Sequence, residues 1–224
     1  MEEVDAGGIR LAYRLSGPAS APPLVLLHGL GEESSYWDEV AASLAQSWRV
    51  YGVDLRGHGS SDWPGAYSIQ LMADDMLRFL DALGLASITL VGHSMGAVVA
   101  YVLASQHPAR ITRLVLEDPA PPWPRPPRFP TRPAGPLSFD WATTGMAAEA
   151  NDPPSYWREH LTDISAPTLL IAGGPASHIN QDQLAELAAL IPSCELITIP
   201  AGHYVHTNSP AAFIDSVSRF LRPS

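Results

Sequence analysis

The stretch that decides the fold is SITLVGHSMGAVVAYVLASQ, residues 87–106. A short apolar run leads into the pentapeptide GHSMG (92–96), and small apolar residues follow it, which predicts a buried strand, a tight turn and a buried helix. On such a turn the hydroxyl of Ser94 projects clear of the backbone, the glycines give room, and the helix N-terminus supplies N–H groups. G-x-S-x-G alone is a weak pattern, but its strand–helix context favours a nucleophile over an ordinary turn serine.

Other short aliphatic runs are typical of strands buried on both faces of a parallel sheet. They alternate with stretches of helical periodicity, which predicts strand–helix repetition with helices on both faces of the sheet. The further strands are predicted at Leu24–Leu27, Val50–Val53, Leu114–Leu116, Thr168–Ala172 and Leu196–Ile199, and helices from Met72 to about Gly84, Met95–Gln106, Gln183–Ile191 and Pro210–Leu221.

Composition limits the classes of function. The 224 residues are 46% hydrophobic and 16% charged, which predicts one domain over residues 1–224. A net charge of −10 disfavours nucleic acid and anionic membrane surfaces as partners and leaves a small-molecule substrate. Cys194 is the only cysteine, and no metal-binding motif is present, so neither metal nor cofactor is expected. MEEVDAGG does not resemble a signal peptide, and no apolar run reaches roughly 18–20 residues, so we expect a cytoplasmic location.

A proline-rich segment interrupts the alternation between 119 and 163. Nine prolines lie between Pro119 and Pro136, which predicts extended chain, and helical stretches are predicted around 139–150 and 156–161. Disordered linkers are poor in aromatic residues, so the aromatic content favours a lid over the sheet. The aromatic residues expected to line a substrate pocket for a hydrophobic acyl or aromatic group are Trp123, Phe139, Trp141 and Trp157.

The tetrapeptide HGLG (28–31) ends the first predicted buried strand. Acyl transfer needs two N–H donors for the developing oxyanion, and we expect them to be the backbone N–H groups of Leu30 and Met95. A dinucleotide-binding turn is the rival interpretation. It fails because Ser34 stands in place of the third glycine and Glu32 would repel a pyrophosphate.

A general base is expected after the last predicted strand, in GHYVH (202–206). A loop at the carboxyl edge of a parallel sheet can reach the nucleophile, and the order of serine before histidine fits this arrangement. His203 is nearer to the strand end and follows a glycine, so we predict that it is the base. His206 is expected to cap or pack.

The whole chain resembles the α/β-hydrolase superfamily. Besides the three motifs above, it contains DLRGHGSS (54–61), similar to the family's D-x-R-G-x-G-x-S turn, and ends with GHYVHTNSPAAF (202–213), similar to the family's tail. The resemblance implies an α/β-hydrolase fold: about eight strands, mostly parallel, flanked by helices, with a lid inserted after the sixth strand. It also implies structural roles for Asp54 and Arg56. The lid here is short for this family.

The chain departs from the family's pattern at the triad acid. The usual acid lies in a G-G-x-D-type turn, but here GGPASH (173–178) has Ala176 at that position. Some relatives take the acid from the end of the preceding strand, where Asp118 stands, and we predict that Asp118 is the acid. Glu117 should point away from the site, and Asp182 lies further away.

Two classes of function remain. The first is hydrolysis of a carboxylic ester, or of a lactone or thioester, through an acyl-enzyme on Ser94 with His203 as base; carbon–carbon bond hydrolysis and perhydrolysis are alternatives within the fold. The second is a ligand-binding or sensing protein with slow or no turnover, and its motive is the absent acid at Ala176.

Overall fold

The computed structural model describes residues 1–126 and 131–222, and this part of the chain is built around one eight-stranded sheet. Its spatial order is β1-β2-β4-β3-β5-β6-β7-β8. β1 pairs antiparallel with β2, and β2 pairs antiparallel with β4. The pairings from β4 across to β8 are parallel. The strands are β1 (Glu2–Asp5), β2 (Arg10–Ser16), β3 (Pro23–Leu27), β4 (Arg49–Val53), β5 (Ile88–His93), β6 (Ile111–Glu117), β7 (Thr168–Ala172) and β8 (Cys194–Thr198).

Helices cover both faces of this sheet. The α-helices are α1 (Asp38–Leu44), α2 (Ile69–Ala82), α3 (Met95–Gln106), α4 (Met146–Asn151), α5 (Ser155–Glu159), α6 (Gln181–Leu190), α7 (Val205–Asn208) and α8 (Pro210–Phe220). Short 3-10 turns lie at Ser34–Trp37, Pro108–Arg110, Trp141–Gly145 and His160–Asp163. The predicted fold class, a mostly parallel sheet flanked by helices, is confirmed.

The core divides into two clusters, one on each face of the sheet. Side chains of β3 alternate between them: Val25 and Leu27 pack with α2 and α3, whereas Leu24 and Leu26 pack with α1 and α8. Because both faces of this strand are buried, it cannot alternate polar with apolar residues. The strand is therefore a continuous apolar run. This is why the parallel strands were predictable from hydrophobicity.

The first two strands were not predicted. β1 is exposed over most of its length and carries charged residues, so it has no apolar run. β2 mixes buried and exposed positions, as antiparallel strands near a sheet edge commonly do. Neither strand contains the signal that identified the others.

The parallel strands β5 to β8 bring four connections to one edge of the sheet. The connections follow His93, Glu117, Ala172 and Thr198, at the carboxyl ends of neighbouring strands. Ligand sites of open α/β sheets lie at this edge. The candidate catalytic residues, distant in sequence, are therefore neighbours in space.

The segment after β6 is attached to the turn after β4. Asp140 N–H donates to the Gly57 carbonyl at 2.7 Å, and Gly59 N–H donates to the Ser138 carbonyl at 2.7 Å. The stretch predicted as helical at 139–150 is a 3-10 turn followed by α4, and the stretch at 156–161 falls in α5 and a further 3-10 turn. Residues 127–130 of the predicted lid lie outside the described residues. Among the helices described, none combines the length and apolar character required to cross a membrane.

Candidate active site

Ser94 occupies a strained turn between β5 and α3. Its φ of 51° and ψ of −114° put it in a region that costs a side-chain-bearing residue about 1–3 kcal/mol. The glycines on either side are required by close contacts: a Cβ at Gly92 would lie 2.5 Å from the Gly96 carbonyl oxygen, and a Cβ at Gly96 would lie 2.5 Å from the His28 carbonyl oxygen. The turn is therefore held against both α3 and the end of β3.

A hydrogen-bonded relay connects the three predicted catalytic side chains. His203 Nε2 lies 2.9 Å from Ser94 Oγ, and His203 Nδ1 lies 2.7 Å from Asp118 Oδ2. A carboxylate only accepts, so Nδ1 carries the proton and Nε2 is left to accept the serine hydroxyl. This is the tautomer that a general base needs.

The carboxylate of Asp118 is fully buried and held by three donors. Besides His203, it accepts hydrogen bonds from Gly173 N–H at 2.9 Å and Ser177 Oγ at 2.5 Å. Burial alone would raise the pKa of Asp118, but the hydrogen bonds from His203, Ser177 and Gly173 outweigh it and keep the pKa below its usual value. The acid is thus ionised at neutral pH.

The turn that has Ala176 at the position of the family's usual acid donates hydrogen bonds to Asp118. Gly173 and Ser177 both belong to GGPASH (173–178), and Ser177 Oγ also accepts from Ile179 N–H at 3.0 Å. A Cβ at Gly173 would lie 2.2 Å from the Gly202 carbonyl oxygen, so this turn presses against the segment that carries His203. Sequence analysis missed Gly173 and Ser177, and only their position one and five residues after β7 could have indicated them.

The two alternative acids lie elsewhere. Glu117 Oε1 accepts from the backbone N–H of His206 at 2.8 Å, and Glu117 Oε2 accepts from His206 Nδ1 at 2.8 Å. His206 is buried and stacks on Trp37, with ring centroids 4.1 Å apart. Asp182 is exposed in the first turn of α6.

The predicted oxyanion donors lie in two different elements. We call residues 28–32 the oxyanion loop. Its Gly29 N–H donates to Glu32 Oε2 at 2.8 Å, and its Gly31 N–H donates to His58 Nε2 at 3.2 Å. Over residues 1–126 and 131–222, the N–H groups of Leu30 and Met95 make no hydrogen bond to a turn or loop acceptor. We expect these two N–H groups to be available to a substrate.

Buried histidines, which sequence analysis did not single out, hold the oxyanion loop. His28 Nε2 accepts from Leu55 N–H at 3.0 Å, and His58 Nε2 accepts from Gly31 N–H. Burial lowers the pKa of His28 and lowers that of His58 to about 3, so both imidazoles are neutral acceptors at pH 7. Within the described residues, no group of three or more histidine, cysteine or acidic side chains is arranged to hold a metal ion.

The four predicted pocket aromatics are not equivalent. Phe139 stacks on His58 at 5.7 Å, and its ring would lie 3.3 Å from a Cβ at Gly31, so it contacts the oxyanion loop. The ring centroids of Trp141 and Phe139 are 6.1 Å apart.

The other two aromatics lie against the core. Trp123 is half-buried, with the Arg158 guanidinium 5.9 Å from its ring. Trp157 is only 3% exposed and packs edge-to-face on Tyr101 of α3. Trp157 thus anchors α5 to the core, and its predicted place in a substrate pocket stays a prediction.

Known proteins share this architecture. Residues 22–155 match the family model described as alpha/beta hydrolase fold. The chain is 30% identical to the sn-1-specific diacylglycerol lipase ABHD11 of Mus musculus, with 98% of this chain and 88% of the lipase covered. That alignment spans 270 positions, more than the 224 residues of this chain, so the lipase contains insertions relative to it.

Two further comparisons agree. A 110-residue stretch is 41% identical to the putative carbamate hydrolase RutD of Caulobacter vibrioides, covering 47% of this chain and 41% of that protein. The crystal structure of a hydrolase from Pseudomonas aeruginosa superimposes with a TM-score of 0.86 at 29% identity, covering 99% of this chain and 98% of that one. The chain therefore belongs to the α/β-hydrolase fold family.

Proposed function

We propose that this protein is a serine hydrolase that cleaves a carboxylic ester, lactone or thioester through an acyl-enzyme on Ser94. The observation that carries the proposal is the relay from Asp118 through His203 to Ser94, at 2.7 and 2.9 Å. The 2.9 Å distance is within the range at which a general base takes a proton, and the 2.7 Å distance is that of a hydrogen bond which orients the base. The hydrolase names of the relatives are consistent with it.

The reaction would follow two half-steps. Ser94 Oγ attacks the carbonyl carbon while His203 Nε2 takes the hydroxyl proton, and Asp118 stabilises the resulting imidazolium. The N–H groups of Leu30 and Met95 receive the oxyanion. Collapse breaks the bond to the leaving alcohol or thiol, which takes the proton from His203, and a water activated by the same base then releases the acid.

The position of Asp118 weakens the argument for a non-catalytic binding protein. That alternative rested on Ala176, because loss of the triad acid costs about 10⁴-fold in a serine-protease triad. Here a buried carboxylate accepts the Nδ1 proton of His203 from another strand. A binding protein would have no use for three donors that keep this carboxylate ionised.

The segment 119–163 supplies the expected selectivity. Phe139 contacts the oxyanion loop, and the Trp141 ring lies beside Phe139, with ring centroids 6.1 Å apart. Trp123 belongs to the same segment and is partly exposed. Aromatic walls favour a hydrophobic acyl or aromatic group over a charged one. We therefore propose that this segment is a short lid over the site.

Burst kinetics test the proposal. Wild-type protein mixed with a p-nitrophenyl ester should release one equivalent of p-nitrophenol rapidly if deacylation is the slower step, and turn over thereafter. Ser94→Ala should abolish both phases without loss of folding, because alanine fits the same turn. Ser105→Ala is the matched control and should behave as wild type, because the Ser105 hydroxyl donates to the Val102 carbonyl within α3. Activity of Ser94→Ala within tenfold of wild type would contradict the proposal.

A further inference from the structure

His93, the residue before the nucleophile, lies between two loops of the site. It ends β5, and its side chain is completely buried. Its Nδ1 lies 3.3 Å from Glu32 Oε2 in the oxyanion loop. Its Nε2 lies 3.0 Å from the backbone carbonyl oxygen of His203, in the segment 199–204 that we call the base loop.

Both partners of His93 can only accept. A carboxylate and a carbonyl oxygen offer lone pairs, and a neutral imidazole has one N–H to give. With one proton, the other ring nitrogen would face an acceptor lone pair in a buried site, which is costly. With two protons, the ring donates to both Glu32 and the His203 carbonyl. The geometry therefore fits an imidazolium.

The charges around the ring agree with this state. Burial disfavours a charge on His93, but the carboxylates of Glu117 and Glu32 outweigh it and raise the pKa of His93 to about 9. Burial would likewise raise the pKa of Glu32, but its hydrogen bond and ion pair with His93 outweigh it and lower that pKa to about 2. The ionisable groups facing the ring are Glu32, Glu117 at the end of β6, His28 at the end of β3, and His203, Tyr204 and His206 after β8.

The contacts of His93 form one chain across the site. Gly29 N–H donates to the same Glu32 oxygen that faces His93, and a Cβ at Gly29 would lie 2.9 Å from His93 Nδ1. The oxyanion loop thus rests directly on the ring. From there the chain continues through Nε2 to the backbone of His203. One buried side chain links the oxyanion donor segment to the general base.

We propose that His93 is a positioning residue that fixes the oxyanion loop relative to the base loop by donating one hydrogen bond to each. This rests on the proposed function and deepens it, since the Leu30 N–H and the His203 imidazole must act on the same carbonyl group. Catalytic groups must be held within about 0.5 Å of their productive geometry. His93 touches neither substrate nor the reacting atoms; it acts through Glu32 and the base loop.

Two amide variants separate the two bonds. His93→Asn keeps a donor near the position of Nδ1 and loses the bond to the base loop, whereas His93→Gln keeps one near Nε2 and loses the bond to Glu32. Each should lower kcat by about tenfold to a hundredfold, the cost of one charge-assisted hydrogen bond, with little change in KM. His107→Gln is the control, because His107 follows the C-terminal end of α3, a full helix length away from Ser94. It should leave kcat near wild type.

The pH dependence of kcat gives a readout that packing alone would not move. Wild-type kcat should fall as the pH rises through about 9, because His93 then loses one donated bond. The amide variants should lack this alkaline limb. The proposal would be overturned if both variants had the same kcat as the wild-type protein, or if the alkaline decrease in kcat persisted in them.

A spectroscopic measurement decides the matter even if the variants fail to fold. In ¹⁵N NMR of the wild-type protein at pH 7.5, both ring nitrogens of His93 should be protonated, and a neutral ring would overturn the proposal.

Labelling with a fluorophosphonate separates the two proposals. If wild-type protein labels and the His93 variants label at the wild-type rate, this inference alone fails; if wild-type protein does not label, the proposed function fails and this inference falls with it.

Discussion

Replacing Asp118 by asparagine probes the relocated acid. The change keeps shape and volume but exchanges one carboxylate oxygen for an N–H₂ group. Gly173 N–H, 2.9 Å from Oδ1, needs an acceptor, so the amide oxygen should remain there and the amide nitrogen should face His203. Ser177 Oγ can then accept instead of donating.

This arrangement reverses the tautomer of the base. With an amide N–H₂ at 2.7 Å, His203 Nδ1 must accept, so the ring proton moves to Nε2 and points at Ser94 Oγ. The serine proton then has no acceptor, and the imidazolium loses its buried counter-charge. We expect kcat to fall by about 10³- to 10⁴-fold, or about 4–5.5 kcal/mol, with KM little changed.

The assay is steady-state hydrolysis of a p-nitrophenyl ester, with thermal unfolding to verify that the variant is folded. Asp182→Asn is the control, because Asp182 was the more distant candidate acid and is exposed on α6. It should leave kcat unchanged. A folded Asp118→Asn protein that retains activity within tenfold of wild type would refute the reasoning, and so would a large loss in Asp182→Asn.

Three further predictions follow from the same contacts. Ser177→Ala removes one of three donors to Asp118 and should lower kcat about tenfold; steady-state kinetics check this, and a change in stability without a change in kcat contradicts it. Exchanging Trp123 and Trp141 for alanine should change the preference among esters of graded acyl length, and an unchanged profile would show that the lid does not set selectivity. The folded-state pKa of Asp118 lies below its unfolded value, so its contribution to stability is present above about pH 4 and is lost as the pH falls through the folded pKa. Melting temperatures of wild type and Asp118→Asn should accordingly converge in acid, and a constant gap would contradict this.

The fold was predictable where burial on both faces leaves an unbroken apolar run. β7 was predicted with its observed bounds. β5 was predicted as the apolar run before GHSMG, and it extends two residues into that pentapeptide, to His93. The strands β1 and β2 and the short helices α1 and α7 were missed, because a few residues with mixed exposure give no periodic signal. Membership of the α/β-hydrolase family, inferred from the motifs, is confirmed.

The site was predictable to the extent that it follows strand ends. Ser94, Asp118 and His203 each come directly after or close to a predicted strand, and neighbouring parallel strands open on one edge. Their catalytic roles remain predictions. Contacts such as Ser177 to Asp118 or His93 to Glu32 join residues 59 and 61 positions apart, and no local pattern encodes them.

The central claim is a covalent acyl-enzyme on Ser94. Protein mixed with a slowly deacylated activated ester can be quenched in acid, digested and examined by mass spectrometry. We predict one acyl group per chain on the peptide that contains residue 94, and none in Ser94→Ala. Acylation of another residue, or rapid ester turnover with no acylated peptide at any time, would contradict the account.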